Sequence, residues 1–262
     1  MIQKMVTSAL IAGFVAGLLA ALLHFAFVQQ YILLGEQYES GAIVHFENAA
    51  APPTLHDHDT DQATDETASE PATGMAADMT AEPAADGHAH SHEAGEVTPL
   101  TRNSLTVLFA GLIYVAYALI LTAGFGLAAS FGKVITAREG LLWGIAGFAS
   151  FQLAPSLGLA PELPGTIAAD LTARQIWWWG TVLSTGTGLA LLAYGRGYVA
   201  IAAAVLLLAA PHIIGAPLPD AYWGVAPPEV AAMFSARVLA TALTVWAVLG
   251  WLAGYLWSQE KA

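Results

Sequence analysis

The sequence predicts an all-α fold: a polytopic membrane helix bundle of about six transmembrane helices, with a disordered, acidic, histidine-containing extracytoplasmic loop. Three observations carry that prediction. Hydrophobic residues make up 56% of the 262 and charged residues only 11%, against about 25% charged in an average soluble domain. The apolar residues collect in long blocks, and a hydrocarbon core about 30 Å thick takes roughly 20 residues of helix to cross. The formal charge of −12 is confined: residues 36–96 hold fourteen Asp and Glu and no Lys or Arg, and the rest sets eight basic against six acidic residues.

Six spans are expected, at about 5–28, 105–131, 141–159, 176–194, 198–215 and 237–257. The first resembles a signal peptide only superficially. Lys4 precedes an apolar run from Met5 to Val28, longer than the ~7–15 residues of a signal core, so a retained helix is expected. The chain then divides into a first transmembrane helix (1–34), a loop (35–100) and a five-helix transmembrane region (101–262). Basic residues near span ends favour the cytoplasmic side. With both termini inside, Lys4, Lys133, Arg138, Arg196 and Lys261 are cytoplasmic, and Arg102, Arg174 and Arg237 are not. A multi-pass membrane location is expected.

Close helix contacts in lipid use small residues. Gly13 and Gly17 supply them in the first span, Gly140 and Gly144 in the third, Gly250 and Gly254 in the sixth, and Gly180, Ser184 and Gly188 in the fourth. Residues 142–148 (LWGIAGF) faintly echo 249–255 (LGWLAGY), as an inverted repeat would. The loop from about 41 to 99 is rich in Ala, Thr, Asp, Glu and Pro. Its few large apolar residues cannot offset the entropy of ordering it.

Several function classes are excluded or unsupported. The chain has no cysteine, hence no disulfide, thiolate ligand or Cys nucleophile of its own. No basic patch suits nucleic acid. Gly126 to Gly132-Lys133-Val134 fails as a phosphate loop, which needs four intervening residues and Ser or Thr after the Lys. No catalytic constellation stands out, so an enzyme is not expected, nor a tightly bound cofactor.

Metal chemistry is the positive signal. His56 and His58 flank Asp57, and His88, His90 and His92 alternate beside Glu93. Imidazole with carboxylate on a flexible chain binds divalent first-row metals. Pro211 is expected to break the fifth span and free the Leu207 carbonyl. Adjacent His212 then serves either as an ion ligand or as an interfacial cap. The stretch 154–179 carries Pro155, Pro161 and Pro164 and cannot be one plain helix. It holds Glu162, Asp170, Arg174 and Gln175 before three tryptophans at 177–179. Asp170 and Arg174, four apart, are expected to pair, and Glu162 and Asp170 are candidates at an ion entrance. His24, deep in the first span, is a candidate because ionisable groups within membranes are usually functional.

The order of these features resembles the CbtA family. The resemblance rests on residues 141–148 (LLWGIAGF), 153–165 (LAPSLGLAPELPG), 169–178 (ADLTARQIWW) and 211–217 (PHIIGAP), and it spans nearly the whole chain. It implies the larger subunit of a bacterial cobalt transporter, linked to cobalamin synthesis, with a small single-span CbtB partner. It also implies that Glu162, Asp170, Arg174, Gln175 and His212 occupy motif positions. The rival expectation is a membrane-anchored divalent-metal-binding or sensing protein that moves nothing.

Overall fold

The structure is a computed structural model and describes residues 2–45 and 98–259. Among them six helical rods follow in order: α1 (2–39), α2 (Pro99–Ser130), α3 (137–156), α4 (Leu171–Tyr194), α5 (Gly197–Ile214) and α6 (Pro228–Gln259). No named strand occurs among the described residues, where one isolated bridge joins Thr166 and Gly224. Four rods, α1, α2, α5 and α6, have the length and apolarity to cross a membrane. The other two depart from that pattern for visible reasons. α3 divides into 12 residues, a five-residue π-turn and a three-residue last turn. α4 is diluted by Trp177-Trp178-Trp179 and by Thr181, Ser184, Thr185 and Thr187.

Several helices run past their expected ends. α1 continues from Val28 to Glu39 because Tyr31 and Ile32 pack with Val28, Leu163 and Phe234 rather than stopping at the lipid boundary. α6 begins nine residues earlier than expected, at Pro228, and supplies Phe234 to the same cluster. Pro155 is accommodated inside α3 by the π-turn Ala149–Leu153, closed by the Ala154 N–H donating to the Ala149 carbonyl. A wider i→i−5 turn relieves the clash that a proline ring makes with the carbonyl four residues before it.

The bundle is held by glycine-faced crossings. A Cβ on Gly13 would lie 2.5 Å from Val115 Cα, and one on Gly17 would lie 2.6 Å from Gly111 Cα, so α1 and α2 touch backbone to backbone. α3 and α6 do the same: a Cβ on Gly144 would lie 2.9 Å from Gly250 Cα, and one on Gly254 would lie 2.8 Å from Gly140 Cα. The two echoing segments of the sequence thus face each other across one crossing. Trp246 and Phe125 fill the centre with Ala118, Val245 and Leu249, all buried. The fourth-span small face is split: a Cβ on Gly188 would touch Leu208 of α5, whereas one on Gly180 meets nothing within 4 Å.

The helix order places residues 31–45, 98–103, 157–170 and 215–235 at one end. Contacts bear this out: Arg102 pairs with Glu36, Ser235 donates to the Pro161 carbonyl, and the Ile167 N–H donates to the Trp223 carbonyl. Of the Asp and Glu among the described residues, Glu36, Glu39, Glu162, Asp170, Asp220 and Glu229 lie at this acidic end. Glu139 lies at the other, basic end, with Lys133, Arg138 and Arg196.

Candidate functional site

The acidic end is organised by two straps, residues 157–170 and 215–227. The first dips Leu163 between α1 and α6, where it is 3% exposed, and lays Pro164 against Gly35. The bridge between Thr166 and Gly224 ties it to the second strap. Gly165 (φ 76°) and Gly215 (φ 85°) take left-handed conformations at the strap bends, which only glycine adopts without steric cost.

The expected pairing of Asp170 with Arg174 does not form. Asp170 instead accepts from the Ala173 N–H at 2.8 Å as the N-cap of α4. Capping satisfies one of the donors that every helix start leaves open. Arg174 reaches back across the strap to Glu162, Nη2 to Oε2 at 3.0 Å. Gln175, next on α4, is exposed.

The expected break at Pro211 does not occur either. α5 runs through Pro211 to Ile214. Pro211 does leave the Leu207 carbonyl without its i+4 donor, but Ser184 of α4 donates its hydroxyl there. Trp177 Nε1 donates to the Pro211 carbonyl at 3.2 Å. These bonds hold α5 to α4 and occupy the carbonyl that an ion would have used. His212 is exposed, its ring edge-on to Trp177 with centroids 6.4 Å apart.

His24 opens the π-turn His24–Val28 in α1. It is half-buried and lies edge-on to Phe25. A π-turn widens a helix at a cost in hydrogen bonding and recurs at functional positions. His24 therefore sits at the most irregular point of α1. Among the described residues no three His, Asp or Glu side chains converge closely enough to hold a metal ion. His56, His58, His88, His90 and His92, and the disorder expected of their loop, lie outside the described residues.

A cleft of about 670 Å³ opens elsewhere, between α2, α3 and α4. None of His24, Glu162, Asp170, Arg174, Gln175 or His212 lines it. Its walls are apolar and aromatic, and its floor reaches Trp246 and Tyr117, whose rings lie 4.7 Å apart. Sequence reasoning missed this feature because Leu, Ala and Gly in a span look alike whether they face lipid, a helix or a gap. It also missed Thr185 Oγ1, Trp246 Nε1 and Ser8 Oγ, buried without a hydrogen-bond partner.

No curated protein and no solved structure matches the chain. A family model described as a probable cobalt transporter subunit, CbtA, matches residues 2–258. That match takes in all six helices and both straps, so the protein belongs to the CbtA family.

Proposed function

We propose that this protein is the ion-translocating membrane subunit of a cobalt transporter, working in the uptake direction. The family match over residues 2–258 carries the reading. The loop histidines His56, His58, His88, His90 and His92 collect the divalent cation. It then enters at the acidic end, where Glu162, Asp170, Gln175 and His212 lie near the straps. Passage requires the straps to part, because Leu163 plugs the space between α1 and α6 above His24. Glu162 is already satisfied by Arg174, so an arriving cation has to displace a guanidinium. Membrane potential favours inward movement by about 2.3 kcal/mol per charge per 100 mV, hence about 4.6 kcal/mol for a divalent ion. A small single-span subunit of the CbtB kind completes the transporter, and both termini are cytoplasmic.

The test is radiocobalt uptake in cells lacking other cobalt routes, with the partner subunit co-expressed. His212→Ala is expected to lower uptake strongly, and unchanged uptake removes His212 from the path. One observation favours a second reading, a membrane-anchored metal-binding or sensing protein: no ligand cluster forms among the described residues. Deleting residues 50–95 separates the two. A transporter keeps uptake at high cobalt concentration, whereas a binder whose ligands lie in the loop loses metal binding and shows no uptake at any concentration.

A further inference from the structure

We propose that the cleft between α2, α3 and α4 is a binding site for one acyl chain of an anionic phospholipid, with the headgroup held by Lys133, Arg138 and Arg196. The cleft is apolar and reachable from the lipid side: Leu127, Leu142 and Leu183 line it and yet remain 63%, 57% and 64% exposed. Its few polar lining groups, Glu139, Ser150 and Thr187 among them, form no cluster of three metal-ligating side chains.

Length selects the occupant. The lining runs from Glu139 to Phe151 on α3 and from Val182 to Tyr194 on α4. At 1.5 Å rise per residue that is about 18 Å, close to the depth of one hydrocarbon leaflet, about half of 30 Å. A partner's transmembrane helix crosses both leaflets and needs a groove about twice as long. Along α2 the cleft's lining runs from Tyr117 to Leu127, about 15 Å. Its inner end is closed by Tyr117, Trp246 and Phe151, with Phe151 stacked on Trp246 at 5.7 Å.

Charge selects the headgroup. The cleft's other end meets the basic end of the bundle at Tyr194 and Glu139. Lys133 Nζ lies 5.4 Å from the Tyr194 ring centre, and Tyr194 is fixed by the Trp143 Nε1–H donating to its hydroxyl at 2.9 Å. Lys133, Arg138 and Arg196 are all exposed, and neither salt bridge among the described residues involves them. Glu139, the carboxylate of this end, is occupied in the capping box with Thr136. Basic groups beside a gap between transmembrane helices are the arrangement that retains anionic lipid.

Native mass spectrometry of the full chain, purified in mild detergent and dosed with phosphatidylglycerol or phosphatidylcholine, tests the proposal. The protein is expected to retain phosphatidylglycerol in preference. Each Lys or Arg near an anionic surface favours it by about fivefold, so Lys133→Gln, Arg138→Gln and Arg196→Gln together should erase a preference of up to roughly 100-fold. Gly186→Leu projects a side chain into the cleft from a position whose Cβ meets only Ser150 Oγ, at 3.7 Å. It should reduce retention of both lipids. Equal retention of the two lipids by the wild type overturns the proposal, as does an unaltered preference in the triple variant. Unaltered retention in a folded Gly186→Leu protein moves the lipid out of the cleft. These readouts need no cobalt and no partner, so they stand apart from the transport reading.

Discussion

Replacing Gly144 by alanine adds one methyl group where α3 and α6 touch backbone to backbone. The new Cβ would lie 2.9 Å from Gly250 Cα and nearer still to the Trp246 carbonyl oxygen. Carbon atoms rest at about 3.5–4.0 Å, so the helices must separate by about 1 Å or distort. Overpacking of this kind costs about 1–3 kcal/mol. An alanine in mid-helix also brings back up to about 1 kcal/mol of propensity over glycine, which blurs the measurement if read singly. Gly180→Ala removes that ambiguity, because its Cβ meets nothing within 4 Å while its propensity gain is the same. The difference between the two variants therefore isolates the crossing. At about 2–4 °C per kcal/mol for a chain of this size, Gly144→Ala should melt roughly 2–12 °C below Gly180→Ala in a detergent thermal-shift assay. Equal melting temperatures would refute backbone contact between α3 and α6 as the determinant of this packing.

Further outcomes follow from the same structure. Ser184→Ala should cost about 1–3 kcal/mol by orphaning the part-buried Leu207 carbonyl; in a Pro211→Ala background, where residue 211 regains its N–H, the cost should largely vanish, and an unchanged cost in that double-mutant cycle contradicts the assigned bond. Asp170→Ala should cost about 1 kcal/mol through loss of the α4 cap, whereas Asp170→Asn should cost little; equal losses by thermal shift would point away from capping. Arg174→Gln and Glu162→Gln should move cobalt uptake in opposite directions, the first lowering the half-saturating concentration by about two- to fivefold and the second raising it, given the modest strength of a part-exposed pair. Parallel effects would mean that the pair is merely structural. A disulfide between Thr166→Cys and Gly224→Cys, in a chain without cysteine of its own, should block uptake when oxidised and release it on reduction; uptake insensitive to oxidation, with the bond verified, means that the straps do not part.

Much of the fold was legible because membrane helices announce themselves by length and apolarity. The first and second spans and the glycine pairs at 13/17, 140/144 and 250/254 all appear where hydropathy and small-residue spacing put them. Helix ends were not legible. Tyr31 to Glu39, Pro228 to Phe234 and the first turn of α2 are held by contacts with one another and with Leu163, and those partners are distant in sequence. The candidate site was legible only as an inventory. Proline at 211 announced a freed carbonyl, but its occupant, the Ser184 hydroxyl, comes from another helix. Asp170 and Arg174 have the spacing of a pair, and that spacing says nothing of Glu162, which competes for the arginine from a strap whose path local rules do not set.

The sequence by itself determined that the chain is a helical membrane protein of the CbtA family, with its charge gathered outside the apolar blocks, because hydrophobic length and local motifs are properties of contiguous residues. Only the tertiary structure decided which groups meet: the glycine crossing of α3 on α6, the Glu162–Arg174 pair, the Leu163 plug, the Ser184 hydroxyl on Leu207, and the cleft ending at Trp246. Each is a contact between segments far apart in the chain, whose geometry depends on how all the helices pack together.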